Sequence, residues 1–139
     1  MSIVVKWITF NGKQTQKQTN IVPIFKEKWR ELLKEFNIRR TIPLYIVDEK
    51  SWKTMHGNPT HGAEYNTGVR IGRGAPHEAV FLRERMLLYD NAAVVIERIL
   101  RHELVHAKLK GKENGDEHSP KIFGKEAKKR KRVGMIGDY

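Results

Sequence analysis

Residues 92–108 read Ala-Ala-Val-Val-Ile-Glu-Arg-Ile-Leu-Arg-His-Glu-Leu-Val-His-Ala-Lys, and their apolar side chains recur at helical spacing round most of a circumference. At about 100° per residue, Val95, Ile99, His102, Glu103 and His106 share one arc, with Ala93, Ile96, Leu100, Leu104 and Ala107 beside it. Glu97, Arg98, Arg101 and Lys108 take the remaining arc, with Val94 and Val105 among them. A helix apolar over that much of its surface is buried on several sides, so the rest of the chain has to be arranged around it. Asp90 or Asn91 suits its N-cap and Gly111 its C-terminal end.

Within this helix His102 and His106 stand four residues apart, so their side chains start about 5–6 Å apart on one face and reach the same point. Two neutral imidazoles so placed chelate zinc at about 2.0–2.1 Å. Glu103 stands beside that point, where a carboxylate serves as the general base of metal-assisted peptide hydrolysis. A zinc ion that keeps an open catalytic position takes three protein ligands, so one more is sought downstream. A metzincin would continue with glycine and histidine where this chain has Leu109 and Lys112, which excludes that class. The next histidine is His118, in a loop that Ser119 and Pro120 mark as the entry to a second helix. Glu117 and Glu126 stay open as rival third ligands, although two imidazoles already favour a nitrogen-rich site.

The segments His-Glu-Leu-Val-His-Ala at 102–107 and His-Ser-Pro-Lys-Ile-Phe at 118–123 resemble the SprT-like, or Spartan-type, zinc metalloprotease domain. Upstream, residues 80–82 leading into 91–100 look like that family's strand before the active-site helix, and 63–66 through 69–71 like its preceding hairpin. The resemblance spans roughly residues 24–129. It implies His102, His106 and His118 as ligands to one Zn²⁺, Glu103 as catalytic base, and a protein substrate held near DNA. By it, residues 78–82 are the sheet edge beside which an extended substrate adds as a strand. Ser119 stands where the family usually has glycine, and serine caps a helix at least as well. The absence of cysteine removes the ligands of the Cys-rich zinc ribbon that often follows this domain. Nucleic-acid contact is then expected elsewhere, and an intracellular compartment is favoured.

Lys and Arg outnumber acids 27 to 16, giving a formal charge of +11 and an affinity for polyanions. The excess is densest at Lys121, Lys125, Lys128, Lys129, Arg130, Lys131 and Arg132, opposed there by Glu126. Lys125, Lys128, Lys129, Arg130, Lys131 and Arg132 are the candidate contacts to DNA phosphates, sequence-independent and salt-sensitive. A solvated basic face that only keeps the chain soluble is the competing reading. Trp52 and Tyr65 are aromatics that could stack on bases or belong to the core. Tyr65, His61 and Tyr139 are the residue types suited to stabilise an oxyanion. His56, His61 and His77 neighbour Gly or Pro and are expected to be ordinary surface histidines.

A chain of 139 residues supports one core. We expect an N-terminal strand or arm and polar link over 1–23, the catalytic domain over 24–130 and a basic tail over 131–139, whose residues 133–139 could fold back onto the cleft. Residues 3–10 are too short and interrupted for a signal peptide's apolar region, and no membrane span is expected. Residues 11–20, rich in Gln, Thr and Lys, suggest a loop. Phe25, Trp29, Leu32, Leu33 and Phe36 predict an amphipathic helix over 24–37. Residues 42–47 are strand-like, 48–66 mostly loop beside the cleft, and 69–71 and 78–82 short strands about a turn at 72–76.

Together these readings predict an α+β, zincin-like domain: a small mixed or antiparallel sheet, an N-terminal covering helix and a central metal-binding helix. The expected function is zinc-dependent endopeptidase cleavage by a monomer, on proteins at or near DNA. A nucleic-acid module with a structural zinc, and a zinc hydrolase of non-peptide amides, are the alternatives.

Overall fold

The computed structural model describes residues 2–55 and 57–109. Strand β1 (Val5–Ile8) leads to helix α1 (Gln16–Glu35), strand β2 (Leu44–Val47), helix α2 (Glu49–Thr54), strand β3 (Ala63–Val69), strand β4 (His77–Arg83), a 3₁₀ turn (Glu84–Leu88) and helix α3 (Ala92–Lys108). The four strands form one mixed sheet in the order β1-β2-β4-β3. Strands β1, β2 and β4 run parallel, and β3 returns antiparallel on β4. The domain is therefore α+β, with the mixed rather than the antiparallel sheet.

Alternation sorts the strands' side chains between two faces. Leu44, Ile46, Val80 and Leu82 point into the main core, where they meet Trp29, Leu32, Leu33 and Phe36 of α1 and Ile96, Ile99, Leu100 and Leu104 of α3. Tyr45, Val47 and Phe81 face the other way and join Trp52 of α2 in a smaller cluster. Strand β2 is buried throughout because both of its faces are covered, which is why it reads as an unbroken apolar run. Trp29 donates its indole N–H to the Ile42 carbonyl at 2.7 Å, fixing α1 to the entry of β2.

Helix α1 begins eight residues before the predicted start, inside the segment read as a loop. Thr15 and Gln18 form a reciprocal capping box, each side chain bonded to the other's backbone N–H. Pro23 is accommodated within the helix. Tertiary bonds hold this polar first part: Trp7 Nε1 donates to the Gln18 carbonyl at 2.9 Å, and Gln18 Nε2 donates to Glu84. The N-terminal strand is likewise part of the sheet, with Val5 and Trp7 in the core.

Helix α1 ends in a turn that predictable apolar spacing does not reveal. Asn37 adopts φ 53°. Its N–H reaches the Lys34 carbonyl and that of Ile38 reaches Leu33, closing a Schellman motif sealed by buried Leu33 and Ile38. Asn is among the few side chains that tolerate this left-handed conformation. Asn37→Ala should lower unfolding free energy by about 1 kcal/mol and Asn37→Gly should leave it level or slightly raised; chemical denaturation checks both. An Ala variant as stable as the parent would refute the strain argument.

Two further corrections concern the second half. Residues 48–66 are not mostly loop, because Asp48 caps α2 by accepting from the Ser51 N–H at 2.8 Å, and β3 already starts at Ala63. Strand β4, read as the substrate-facing edge, is interior, paired with β2 on one side and β3 on the other. The strand's continuous apolar burial is what two hydrogen-bonded neighbours and two covered faces produce. Among the described residues the edges are β1 and β3, and β3 runs past Asn66 through an irregularity at Gly68, whose φ of 67° a side chain would resist.

Candidate metal centre

Helix α3 occupies Ala92–Lys108, the span that the periodicity predicts. Asn91 is its N-cap residue without a side-chain cap bond, and burial of the helix begins only at Ile96. From Ile99 onward nearly every residue is buried, including Val105 and Arg101 of the supposedly polar arc. Arg101 is kept inside by ion pairs: its guanidinium donates to both carboxylate oxygens of Glu35 on α1, and Nη2 stands 2.6 Å from Glu97 one turn earlier. This arrangement ties α3 to α1 beside His102 and His106.

The His102, Glu103 and His106 side chains are 1%, 5% and 7% exposed. His102 Nε2 and His106 Nε2 stand 3.3 Å apart, with the rings at 78° to one another. Two ligands at about 2.0–2.1 Å in tetrahedral coordination lie about 3.3–3.4 Å apart, so these two nitrogens already span the bite of one zinc ion. The donor set fits: two buried imidazoles converging through the same ring nitrogen, with a carboxylate on the adjoining helical position.

Among the described residues, no group of three or more His, Cys, Asp or Glu side chains converges as a metal site. The predicted third ligand His118, its rivals Glu117 and Glu126, and the basic residues Lys125, Lys128, Lys129, Arg130, Lys131 and Arg132 all lie outside the described residues, as do His56 and Tyr139.

Trp52, His77 and His61 each have partners away from the two helix histidines. Trp52 is fully buried in the second cluster, with the Arg83 guanidinium 5.6 Å from its ring centroid, and offers no stacking surface. His77 bridges the Ala75 carbonyl through Nδ1 and Tyr45 through Nε2, which fits the Nδ1–H tautomer. His61 lies with Nδ1 3.8 Å from Glu64, while its carbonyl and that of Pro59 accept from Arg83. Arg83 itself is buried and pairs with Glu49 at 2.8 Å, so one guanidinium fastens the loop before β3 to α2.

Tyr65, a candidate oxyanion stabiliser, donates its hydroxyl to Glu78 Oε1 at 2.7 Å. Burial raises its pKa well above the usual phenol range, and the bond to Glu78 adds to the effect. Glu78 in turn is gripped by Arg40, whose Nε and Nη2 donate to its two oxygens while Nη2 also donates to the Ala107 carbonyl at 2.9 Å. Sequence reasoning passed over Arg40 and Glu78 because they are 38 positions apart and belong to no motif.

No helix among the described residues is long and apolar enough to cross a membrane. Comparison with known proteins returns no matching family model, no matching curated protein and no matching solved structure.

Proposed function

We propose that this chain is a zinc-dependent endopeptidase of the zincin-like, SprT-like kind, with His102, His106 and His118 as ligands and Glu103 as general base. The observation that carries the reading is the 3.3 Å separation of two buried Nε2 atoms on one turn of a central helix. Zinc bound there would supply a Lewis acid for the scissile carbonyl and lower the pKa of water.

The chain's own residues do the rest. Glu103 is carried by the same rigid helix as both histidines, so its carboxylate keeps a constant position relative to them. It accepts the proton of the attacking water and returns it to the leaving amine, which converts a poor leaving group into a neutral one. Burial of Glu103 excludes competing water and strengthens its interaction with charge developing nearby. The edge available to an extended peptide beside α3 is β3, whose outer side carries no strand among the described residues. The net charge of +11 supports proteins at or near DNA as substrates, through phosphate contacts without base preference.

Elemental mass spectrometry of the purified protein tests the site, with His118→Ala and Glu126→Ala prepared alongside. About one zinc per chain is expected in the parent and in Glu126→Ala, and less in His118→Ala. Hydrolysis of an unstructured protein, with and without single-stranded DNA, then tests the reaction. A parent chain that takes up no zinc on reconstitution would refute the proposal.

A further inference from the structure

We infer that Arg40 is a positioning residue for the His102 and His106 pair, an inference that rests on the zinc reading above. Arg40 lies between the Schellman turn of α1 and strand β2, and its guanidinium joins two other parts of the fold. Nε and Nη2 hold the two oxygens of Glu78 on β4, and Nη2 also donates to the Ala107 carbonyl, one residue past His106. Glu78 is braced from β3 by the Tyr65 hydroxyl. The result is a clamp that runs from β3 through β4 to the last turn of α3.

The two histidines differ in what holds them. His102 sits in the interior of α3, with helix on both sides. His106 belongs to the final turn, where carbonyls lack full intrahelical partners and helices fray. A swing of that turn would move His106 Nε2 away from His102 Nε2, and the bite of 3.3 Å would open. The guanidinium supplies a partner to a carbonyl of that turn, and its positive charge complements the helix's C-terminal dipole. A neutral or shorter side chain at position 40 leaves Ala107 without this partner and Glu78 without its counter-charge.

Arg40→Met keeps most of the aliphatic stem and removes the fork. Zinc affinity, measured by competition with a chromophoric chelator below each variant's unfolding transition, should weaken about tenfold, as losses of outer partners of metal ligands do. Cobalt(II) absorption reports the same site independently of turnover, and its tetrahedral bands should weaken or shift in the variant. Arg83→Met is the control, because it removes a guanidinium with equally long-range partners whose contacts with Glu49, Pro59 and His61 do not involve α3. It should lose stability yet bind zinc as the parent does. If Arg40→Met does not fold, Glu78→Gln, which keeps the shape and halves the clamp, should show a smaller weakening in the same direction. Affinity within about twofold of the parent in the folded clamp variants would overturn the inference. Equal weakening in Arg83→Met would also overturn it, by assigning the effect to general stability. A parent that binds no zinc would sink the underlying reading itself, which is a different outcome from a parent that binds and a clamp variant that binds equally.

Discussion

Glu103→Gln is expected to bind zinc as the parent does and to lose roughly 10²–10⁴-fold in peptidase turnover, the contribution of a positioned general base. The substitution is nearly isosteric and leaves both histidines in place. Its amide keeps hydrogen-bonding capacity but cannot take a proton from water near neutral pH, so chemistry fails while the site persists. Because Glu103 is only 5% exposed, bulk water has poor access to stand in for the lost carboxylate. Parallel measurement of zinc content and of turnover on an unstructured protein separates the two effects. Full proteolysis by this variant would show that Glu103 is not the base.

His106→Ala, and His102→Ala with it, should abolish stoichiometric zinc binding. The reason is again the Nε2 pair, since removing either nitrogen leaves no bite on α3. A readout that does not depend on activity is the zinc-dependent rise in melting temperature. A ligand at 100 times its dissociation constant stabilises the folded chain by about 2.7 kcal/mol, and this increment should vanish in each variant. The variants also lose packing, because His102 and His106 lie among fully buried Ile99, Leu104 and Val105. Their melting temperatures without zinc should therefore fall as well, and the increment upon adding zinc is the quantity to compare. An unchanged increment in either variant would remove that histidine from the metal centre.

What could be read in advance divides along a physical line. Elements with a strong local pattern were legible: α3 from its apolar spacing, the second half of α1 from Phe25 to Phe36, and β4 from its apolar run; the hairpin expected within 63–71 is instead the single strand β3, paired with β4. The first turns of α1 were misread because Gln16 to Asn20 are polar and carry no apolar period. Their helical state depends on a local capping box, which the sequence does contain, and on Trp7 and Glu84, which only the fold brings near. Helix α2 was hidden in the same way: six residues carry too little period to stand out, and burial of Trp52 against β2 and β4 is what holds them.

The edge assignment shows the limit most clearly. Residues 78–82 are an apolar run after Glu78, which suits a strand in more than one position of a sheet. Strand order depends on which segments pair, and β4 becomes interior because β2 takes one side in parallel while β3 folds back on the other. Parallel pairing joins residues far apart in the chain and has no turn signature. The contacts of Arg40 and Arg83 have the same character. Each takes its partners from distant segments, Arg83 while buried and Arg40 while exposed, so identity as an arginine says nothing of either arrangement.

The sequence alone determined that residues 92–108 form a central helix with two histidines and a glutamate on one side, because helical geometry converts spacing into direction without help from the rest of the chain. It also determined the mixed α and β character, through local periods. Only the tertiary structure decided how closely the two imidazoles meet, which strand is the edge, and that Arg40 grips the end of the helix. Those outcomes depend on contacts between segments whose relative positions are set by burying a shared core, and no local pattern encodes them.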